Sequence, residues 1–457
     1  MFLSLLFALL GVLLAALLAL IPALHVYNVA GLILLVAIAN PNLDPQVVAL
    51  FMLGLVVGYA MLNTLPAILL SAPDESMIFA VLPAQKYLLA GRGYEAVLLT
   101  GLGSLGGLWV LILLSPFLGL VVAPLRVLVQ PHLHWILGLI IVYMILSEWP
   151  MDSNDKHPER SGGHPERNAV KSKETRRVVE GQKFINAWSQ LLAGLITFTL
   201  SGLLGFVLLY RSPVPITAAY QNLLPAFVGF FALPAVLQQL VAGSRPPPQH
   251  LATTLDVTPD LLARGIAAGS LGGLFAAFFP IVTGGIGGFL AGHATAQRDD
   301  RVLLVSQGAN KMLYYVGAYL FFFVPGLRFT KGGLASMVST FYTATSPDTY
   351  WLAVAALAFS GLLAFFILLG LTRFLIQIIP RLDHRLVAFV TLTWLITVVL
   401  IVTGLPGLAV SLVAAAIGFI PLFWRTRRMH CLGVLLLPVT LNMAGYGSIV
   451  AKWLGLI

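Results

Sequence analysis

Three ionisable side chains stand inside or beside apolar runs, where charges are rare. Asp74 and Glu75 follow an apolar run that ends at Leu70, and Lys311 follows Asn310 within a later run. A charged residue near the bilayer centre costs about 2.5–3.5 kcal/mol on insertion scales, so it is a functional candidate by default. We interpret Asp74 and Glu75 as ion-coupling residues that carry a proton or bind Na⁺, and Lys311 as the partner of a substrate carboxylate. The alternatives are a helix cap at Asp74 and a lysine that snorkels or pairs with a protein acid.

Two apolar helices run into a proline that is followed by polar or small residues. One break lies in residues 20–28 and the other in residues 279–288. Unwound backbone survives at membrane depth only where protein, water or a ligand meets it, and a broken helix offers a free N-terminus that suits an anion. We predict that the two breaks form a substrate-binding site, with packing kinks as the alternative. The residues that they contribute are Pro22, His25, Asn28, Pro280, Thr283, Gly284 and Gly285.

Each half of the chain then carries an asparagine beside small residues. These are Asn63 in the first half and Asn310, three residues after Gln307, in the second. Gly/Pro-interrupted segments at corresponding positions of two halves point to the binding site of a secondary transporter. Amide side chains suit contact with a carboxylate or a cation, so we add Asn63, Gln307 and Asn310 to the predicted site. Hydrogen bonding between helices is the alternative.

Other basic groups lie near the same features. We interpret Lys86, Arg92 and Lys331 as membrane-interface anchors, because each lies near a glycine-rich turn. His25 and His293 follow the helix breaks, and an imidazole titrates near neutrality, so either residue is a candidate proton relay. A histidine that hydrogen-bonds a freed backbone carbonyl is the alternative.

The composition excludes a soluble protein. Of 457 residues, 59% are hydrophobic and 9% are charged, against about 45–50% and about 25% in a soluble globular domain. The mean hydropathy is +0.95. The net charge of +9 is spread too thinly to form the basic face that nucleic acid requires. A single cysteine, Cys431, excludes an internal disulfide and a cysteine-rich metal site, and we expect no cofactor beyond the coupling ion.

Runs of roughly 20 apolar residues are long enough to cross a bilayer as helices. They predict an all-α polytopic membrane protein with about ten to twelve membrane helices, arranged as two inverted repeats with broken or re-entrant helices. The predicted segments are a first repeat at 1–147, a polar flexible linker at 148–183, a second repeat at 184–380 and C-terminal membrane helices at 381–457. The string Gly101-Leu102-Gly103-Ser104-Leu105-Gly106 lies inside an apolar run, so we interpret it as a helix-packing surface and not as a dinucleotide site.

Four strings, in order along the chain, resemble the large membrane subunit of the tripartite tricarboxylate transporters, the TctA family, and its archaeal-type members in particular. Residues 21–25 with Asn28 are similar to the first Pro-Gly-type motif of that family, and residues 279–284 to the second. Residues 306–310 resemble its Ser-Gly-x-Asn stretch, and residues 427–438 resemble its basic, leucine-rich C-terminal block. Ala23 and Ile281 stand where the family usually has glycine.

The resemblance implies ion-coupled carriage of an organic anion, together with a solute-binding protein and a small membrane subunit. With the residues above, it leads us to expect a permease for a di- or tricarboxylate in the cell membrane, driven by Na⁺ or H⁺. The alternative is a translocase for polyprenyl phosphate or another lipid phosphate, since paired broken helices with basic residues also suit a phosphate head group. The chain has no His-Glu-x-x-His string and no convincing Ser/His/Asp arrangement, so we expect no enzyme.

Overall fold

The chain is almost entirely helical. The computed structural model describes residues 1–21, 25–40, 42–70, 75–149, 173–214, 222–242, 247–252, 254–327, 329–344, 346–381 and 383–457. No β-strand occurs in these ranges. The prediction of an all-α polytopic membrane protein is confirmed.

The helices of these ranges follow one another with short connections. The first ten are α1 (Phe2–Leu18), α2 (Val26–Ala39), α3 (Pro45–Leu62), α4 (Thr64–Leu69), α5 (Val81–Leu89), α6 (Gly93–Val129), α7 (Leu133–Leu146), α8 (Lys173–Tyr210), α9 (Leu224–Phe227) and α10 (Leu233–Ala242). The others are α11 (Pro259–Phe278), α12 (Gly284–Ala294), α13 (Asp300–Met312), α14 (Ala318–Phe323), α15 (Gly333–Val338), α16 (Pro347–Ile378), α17 (His384–Phe423), α18 (Gly433–Met443) and α19 (Gly447–Trp453).

Seven helical stretches of the described residues are long and apolar enough to cross a membrane. They are Pro45–Leu69, Gly93–Leu146, Trp188–Tyr210, Leu224–Val241, Pro259–Phe278, Pro347–Ile378 and Arg385–Phe423. The pair formed by Arg428–Met443 and Gly447–Trp453, bent by 115°, makes an eighth if it is one span. Two of these stretches are longer than one bilayer crossing needs: Gly93–Leu146 has 54 residues, and Arg385–Phe423 has 39 and is two helices joined at non-helical Gly404. The predicted ten to twelve counted two membrane helices in each of them. Phe2–Leu18 and Val26–Ala39 are shorter apolar helices.

Three of the long helices begin with the same local signal. The side chains of Asp44, Thr258 and Ser346 each accept a hydrogen bond from a backbone N–H in the first turn of α3, α11 and α16. Proline follows each cap as the first helical residue, where its fixed φ suits the helix and its missing N–H costs nothing. Local sequence therefore fixes where these three helices start.

The chain forms two compact units that interleave in sequence. The first comprises Met1–His132 and Ser212–Ala415, and the second comprises Leu133–Arg211 and Ala416–Ile457. Neither unit coincides with a predicted repeat, and the duplication stays a prediction.

The linker prediction is partly wrong. Residues 150–172 lie outside the described residues, but helix α8 already begins at Lys173, so residues 173–183 are helical. Glu148 is also no linker residue, because its side chain is only 9% exposed and belongs to an ion-pair cluster of the second unit.

In the first unit, α13 packs closely against α6 and α11. A Cβ atom added to Gly103 would lie 1.9 Å from the Val305 carbonyl oxygen, and one added to Gly269 would lie 2.1 Å from the Ser306 carbonyl oxygen. Only glycine permits such backbone approach. The interpretation of the glycine-rich string at 101–106 as a packing surface is thus confirmed at Gly103, and α13 is held in place with its polar residues facing inward.

Candidate functional site

Both predicted helix breaks are present. Helix α1 ends at Leu18 and α2 begins at Val26, while α11 ends at Phe278 and α12 begins at Gly284. Helix α13 continues after Met312 as a π-helical segment, Leu313–Gly317. Such π-segments are frequent at functional sites.

A buried carboxylate lies beside the first break. Glu75 Oε1 is 3.2 Å from His25 Nε2 and accepts a 2.8 Å hydrogen bond from the Tyr315 hydroxyl group. The hydroxyl oxygen of Tyr315 is in turn 3.1 Å from His25 Nε2. The side chain of Glu75 is 8% exposed and that of His25 is 20% exposed. The fold thus assembles a carboxylate, an imidazole and a phenol from positions that are 50 to 290 residues apart in the chain.

The backbone fixes the tautomer of His25. This residue is the N-cap of α2, and its Nδ1 accepts a 3.2 Å hydrogen bond from the backbone N–H of Tyr27. An accepting Nδ1 carries no hydrogen, so the proton of the neutral ring lies on Nε2, which faces Glu75. A second ring proton would set two donors against each other at Nδ1. In this geometry the histidine is neutral and donates to the carboxylate.

Tyrosine rings surround this pair. The ring centroid of His25 is 4.7 Å from that of Tyr27, 5.8 Å from that of Tyr59 and 5.7 Å from that of Tyr315. The Tyr314 ring lies 4.6 Å from the Tyr315 ring. We call Tyr27, Tyr59, Tyr314 and Tyr315 the tyrosine cluster. It supplies hydroxyl groups and aromatic faces that can stabilise cations.

The second break packs against the backbone of the same glutamate. A Cβ atom on Gly285 would lie 2.2 Å from the carbonyl oxygen of Glu75, and one on Gly284 would lie 2.8 Å from the Tyr314 ring. The Asn310 side-chain amide donates a 2.8 Å hydrogen bond to the Gly284 carbonyl oxygen. Thr283 caps α12 by accepting from the backbone N–H of Ile286. The two breaks are therefore parts of one site in the first unit.

The backbone of the second break is strained. Ile281 has a φ of 56°, in the left-handed region that a β-branched side chain strongly disfavours. Strain of this kind persists where the surroundings enforce it and clusters at functional sites. A glycine at position 281 would adopt this positive φ without steric cost.

Two lysines point their amines at the tyrosine cluster. Lys311 Nζ lies 5.6 Å from the centroid of the Tyr59 ring, and Lys331 Nζ lies 5.4 Å from that of the Tyr314 ring. The Nζ atom of Lys331 is inaccessible to solvent and has no hydrogen-bond partner among the described residues. The interpretation of Lys331 as an interface anchor is wrong, because its amine is enclosed by protein. Lys86 and Arg92, by contrast, form exposed ion pairs with Asp300 and Glu95.

Further polar atoms of α13 are unsatisfied. Gln307 and Asn310 are fully buried, and Gln307 Nε2, Gln307 Oε1 and Asn310 Oδ1 have no hydrogen-bond partner in the described part of the chain. Leaving such atoms unpaired costs about 1–3 kcal/mol each. They are donors and acceptors that a bound ligand or ion would satisfy.

The structure places the remaining predicted residues at different distances from the Glu75 pair. Pro22 and Asp74 lie outside the described residues. Asn63 is buried and donates a 3.1 Å hydrogen bond to the Tyr59 hydroxyl group, so it supports the tyrosine cluster. Asn28 lies in the first turn of α2, and Pro280 lies in the second break. His293 is exposed near the end of α12, with its ring packed on Phe289, and does not join Glu75.

The sequence analysis did not consider the tyrosines, and it assigned Lys331 to the membrane interface instead of the site. A usable signal was the pair Tyr314-Tyr315, which follows Lys311 within an apolar segment. No local signal marks Lys331, because the two glycines that follow it are typical of a surface turn. In the structure these glycines allow a close approach to the tyrosine cluster: a Cβ atom on Gly333 would lie 3.0 Å from the Tyr27 ring.

A cavity of about 240 Å³ lies beside Lys331 along the chain. Thr330, the residue before the lysine, lines it together with Phe322, Ser339, Thr343 and Ala344. Its walls combine hydroxyl groups with an aromatic ring, so it can hold a small polar molecule.

The second unit has a buried carboxylate of its own. Glu148 Oε1 is 3.3 Å from His430 Nε2 and 3.8 Å from Arg427 Nη1, and it accepts a 3.0 Å hydrogen bond from the Arg427 backbone N–H. Burial raises the pKa of the Glu148 carboxyl group, but the hydrogen bond from His430 and the charge of Arg427 outweigh burial, so the pKa lies below its ordinary value. This is the environment of a structural carboxylate that is ionised near neutral pH.

Broken apolar helices that meet around buried charges define a multi-pass membrane transport protein. Residues 5–433 match the tripartite tricarboxylate transporter TctA family, so the chain belongs to this family. The resemblance seen in the sequence motifs is confirmed, and the protein is a component of a transporter and not an enzyme. An uncharacterized protein of Methanocaldococcus jannaschii is 24% identical over 450 residues, which cover 96% of this chain and 98% of that protein. No solved structure matches the chain.

Proposed function

We propose that the protein is a secondary active permease. It carries a small organic anion, a di- or tricarboxylate, across the cell membrane, and a cation gradient drives this transport. The observation that carries this proposal is the enclosed amine of Lys331, which has no hydrogen-bond partner among the described residues and lies against the tyrosine cluster. A buried ammonium group without a partner is costly, and an anionic ligand removes that cost.

The neighbouring groups support the same ligand class. Lys311 adds a second positive charge on the Tyr59 side of the cluster. The N-termini of α2 and α12 begin at the two breaks and carry partial positive charge. The unsatisfied amide of Gln307 can donate to one carboxylate oxygen and accept from a hydroxyl group. These groups together favour a ligand with more than one carboxylate.

We infer that the permease works with partners. Its family is named for a tripartite system. We expect a small membrane subunit and a soluble solute-binding protein that delivers the anion. Co-purification of the tagged permease from its native membrane tests this, and its isolation as the sole component would contradict it.

Reconstitution into liposomes tests the function. The purified protein, reconstituted together with the subunits that co-purify with it, is expected to exchange external labelled citrate or succinate for the same anion inside, in the absence of any ion gradient. Lys331→Met is expected to raise the apparent KM by roughly tenfold or more, since a hydrogen bond to a charged group contributes about 1.5–3 kcal/mol. Lys86→Met is the matched control, because Lys86 is an exposed lysine in an ion pair with Asp300, and it should leave the KM unchanged.

The same liposomes distinguish the carboxylate permease from the lipid-phosphate translocase. Failure of the wild-type protein to exchange either anion, together with transbilayer movement of a polyprenyl phosphate, would replace the carboxylate permease with a lipid-phosphate translocase. Equal effects of Lys331→Met and Lys86→Met would remove Lys331 from the site.

A further inference from the structure

We propose that the coupling ion is a proton and that the Glu75 carboxylate, held by His25 and Tyr315, is its carrier. The inference rests on the proposed function and names the ion that drives it. It stands on the geometry of one buried carboxylate that receives hydrogen bonds from neutral donors.

Glu75 has no cationic side chain as its direct partner in the described part of the chain. Among the described residues, no lysine or arginine forms an ion pair with this carboxylate, and its partners are a phenol and an imidazole. The Tyr27 backbone N–H holds His25 in the neutral form that donates from Nε2. A buried carboxylate whose donors are neutral keeps its charge uncompensated, and a proton is the smallest ion that can compensate it.

The ligands around Glu75 suit H⁺ better than Na⁺. A sodium ion needs several oxygen ligands at one point, but Glu75 Oε1 already accepts from Tyr315 and faces the Nε2–H of His25. The part of the chain that the structure describes offers no third histidine or acidic side chain to this pair. Proton binding needs no ligand set, so it fits this site.

Several elements contribute the described titratable groups that contact Glu75 or belong to the tyrosine cluster, together with the two lysines that lie against that cluster. The segment before α2 contributes His25, and α2 contributes Tyr27; α3 contributes Tyr59; the α13 and π-helical segment contributes Lys311, Tyr314 and Tyr315; the segment before α15 contributes Lys331. The start of α12 contributes backbone alone, through Gly285. Glu75 is thus the acidic member of this set, and two amines and one imidazole are its basic members.

Protonation of Glu75 changes its contacts with both helix breaks. A proton from water bonds to a carboxylate oxygen of Glu75 and removes its negative charge, and release to the opposite side restores it. The neutral acid attracts the His25 and Tyr315 donors less strongly. Because His25 caps α2 and the Glu75 carbonyl oxygen packs against Gly285 of α12, the protonation state biases both helix breaks. A ligand or proton shifts conformations by such a difference in affinity.

Transport in liposomes separates coupling from binding. In Na⁺-free medium, an inward proton gradient should drive accumulation of labelled citrate or succinate by the wild-type protein. Glu75→Gln should lower accumulation by at least about tenfold, yet retain gradient-free exchange, because its neutral amide mimics the protonated acid. Glu95→Gln is the matched control, since Glu95 is paired with Arg92 at the start of α6, and should behave as wild type. Accumulation driven by Na⁺ alone, or full proton-driven accumulation by Glu75→Gln, would overturn the inference.

A second measurement needs no transport. Infrared absorption of the purified protein should show a protonated carboxyl group that appears as the pH is lowered and is missing in Glu75→Gln but present in Glu95→Gln. Tyr315→Phe, which removes one donor to the carboxylate, should shift that titration to higher pH. The lack of any such band at all accessible pH values would refute the proton carrier. Lack of anion exchange with the band present would refute the proposed function instead.

Discussion

The two units each enclose a glutamate side chain beside a histidine, yet the two glutamates differ in their remaining partners. Glu148 has the Arg427 guanidinium at 3.8 Å, a backbone N–H donor and His430. Glu75 has the neutral donors His25 and Tyr315, and the described residues give it no lysine or arginine ion pair. A compensated carboxylate stays ionised and stabilises its surroundings, whereas one with neutral donors can exchange a proton. Burial beside a histidine therefore does not reveal the role of a glutamate; its remaining partners do.

The largest expected difference between the two pairs is in transport. Glu75→Gln should reduce proton-driven anion accumulation by about tenfold or more, while Glu148→Gln should retain wild-type accumulation per folded molecule, because its carboxylate carries no proton in the cycle. The measurement is initial uptake in liposomes, normalised to reconstituted protein. Equal losses in the two variants would erase the functional distinction between the pairs.

Glu148→Gln, which should leave transport unchanged, should lower the stability of the protein. Glu148→Gln is expected to lower the free energy of unfolding by roughly 1–3 kcal/mol near neutral pH, since hydrogen bonds to a charged group are lost. The pKa of Glu148 is lowered in the folded protein. Its contribution is therefore present above the ordinary carboxyl pKa of about 4.3 and is lost as the pH falls through the lower folded-state value.

Thermal unfolding of the purified protein at several pH values checks this prediction. The gap between wild type and Glu148→Gln should be widest near neutrality and close on acidification. A gap that is independent of pH would mean that packing, and not charge, supplies the effect.

The lysine beside the Glu75 pair should behave differently from the arginine beside Glu148. Lys331→Met removes an enclosed amine with no partner in the described chain, so the empty protein should gain on the order of 1 kcal/mol of stability while losing anion affinity. Arg427→Met should lower stability, because Glu148 loses its counter-charge. Unfolding midpoints without and with citrate give both signs. Destabilisation by Lys331→Met would indicate a structural role for that amine.

The smallest expected effect concerns the backbone beside each pair. Ile281 and Arg425 both have positive φ values, 56° and 57°. Glycine relieves left-handed backbone strain of about 1–2 kcal/mol but costs about 1 kcal/mol of chain entropy, so each glycine variant should gain about 1 kcal/mol or less. Ile281→Gly should also alter exchange kinetics, whereas Arg425→Gly should not. Unchanged exchange in both variants would separate the strain from transport.

The sequence alone determined the class of the protein and the location of both helix breaks. Long apolar runs must be helical in lipid, since only a helix satisfies the backbone of a single span. Helix α6 continues through Pro116 and Pro124, so proline alone does not end a helix. Pro22 and Pro280 signal breaks because small or polar residues follow each of them. His25, Glu75 and Asn310 were candidates because polar groups among apolar residues are costly.

Only the tertiary structure decided which of these groups meet. His25, Glu75 and Tyr315 are joined by contacts that span 50 to 290 positions, and no local period encodes such distances. Lys331 has the local sequence of a surface turn, but folding places its amine under the Tyr314 ring. Glu148 belonged by composition to a polar linker, yet Arg427 and His430, about 280 residues away, make it part of a buried cluster. The cost of a buried charge depends on its partners, and the partners are set by packing.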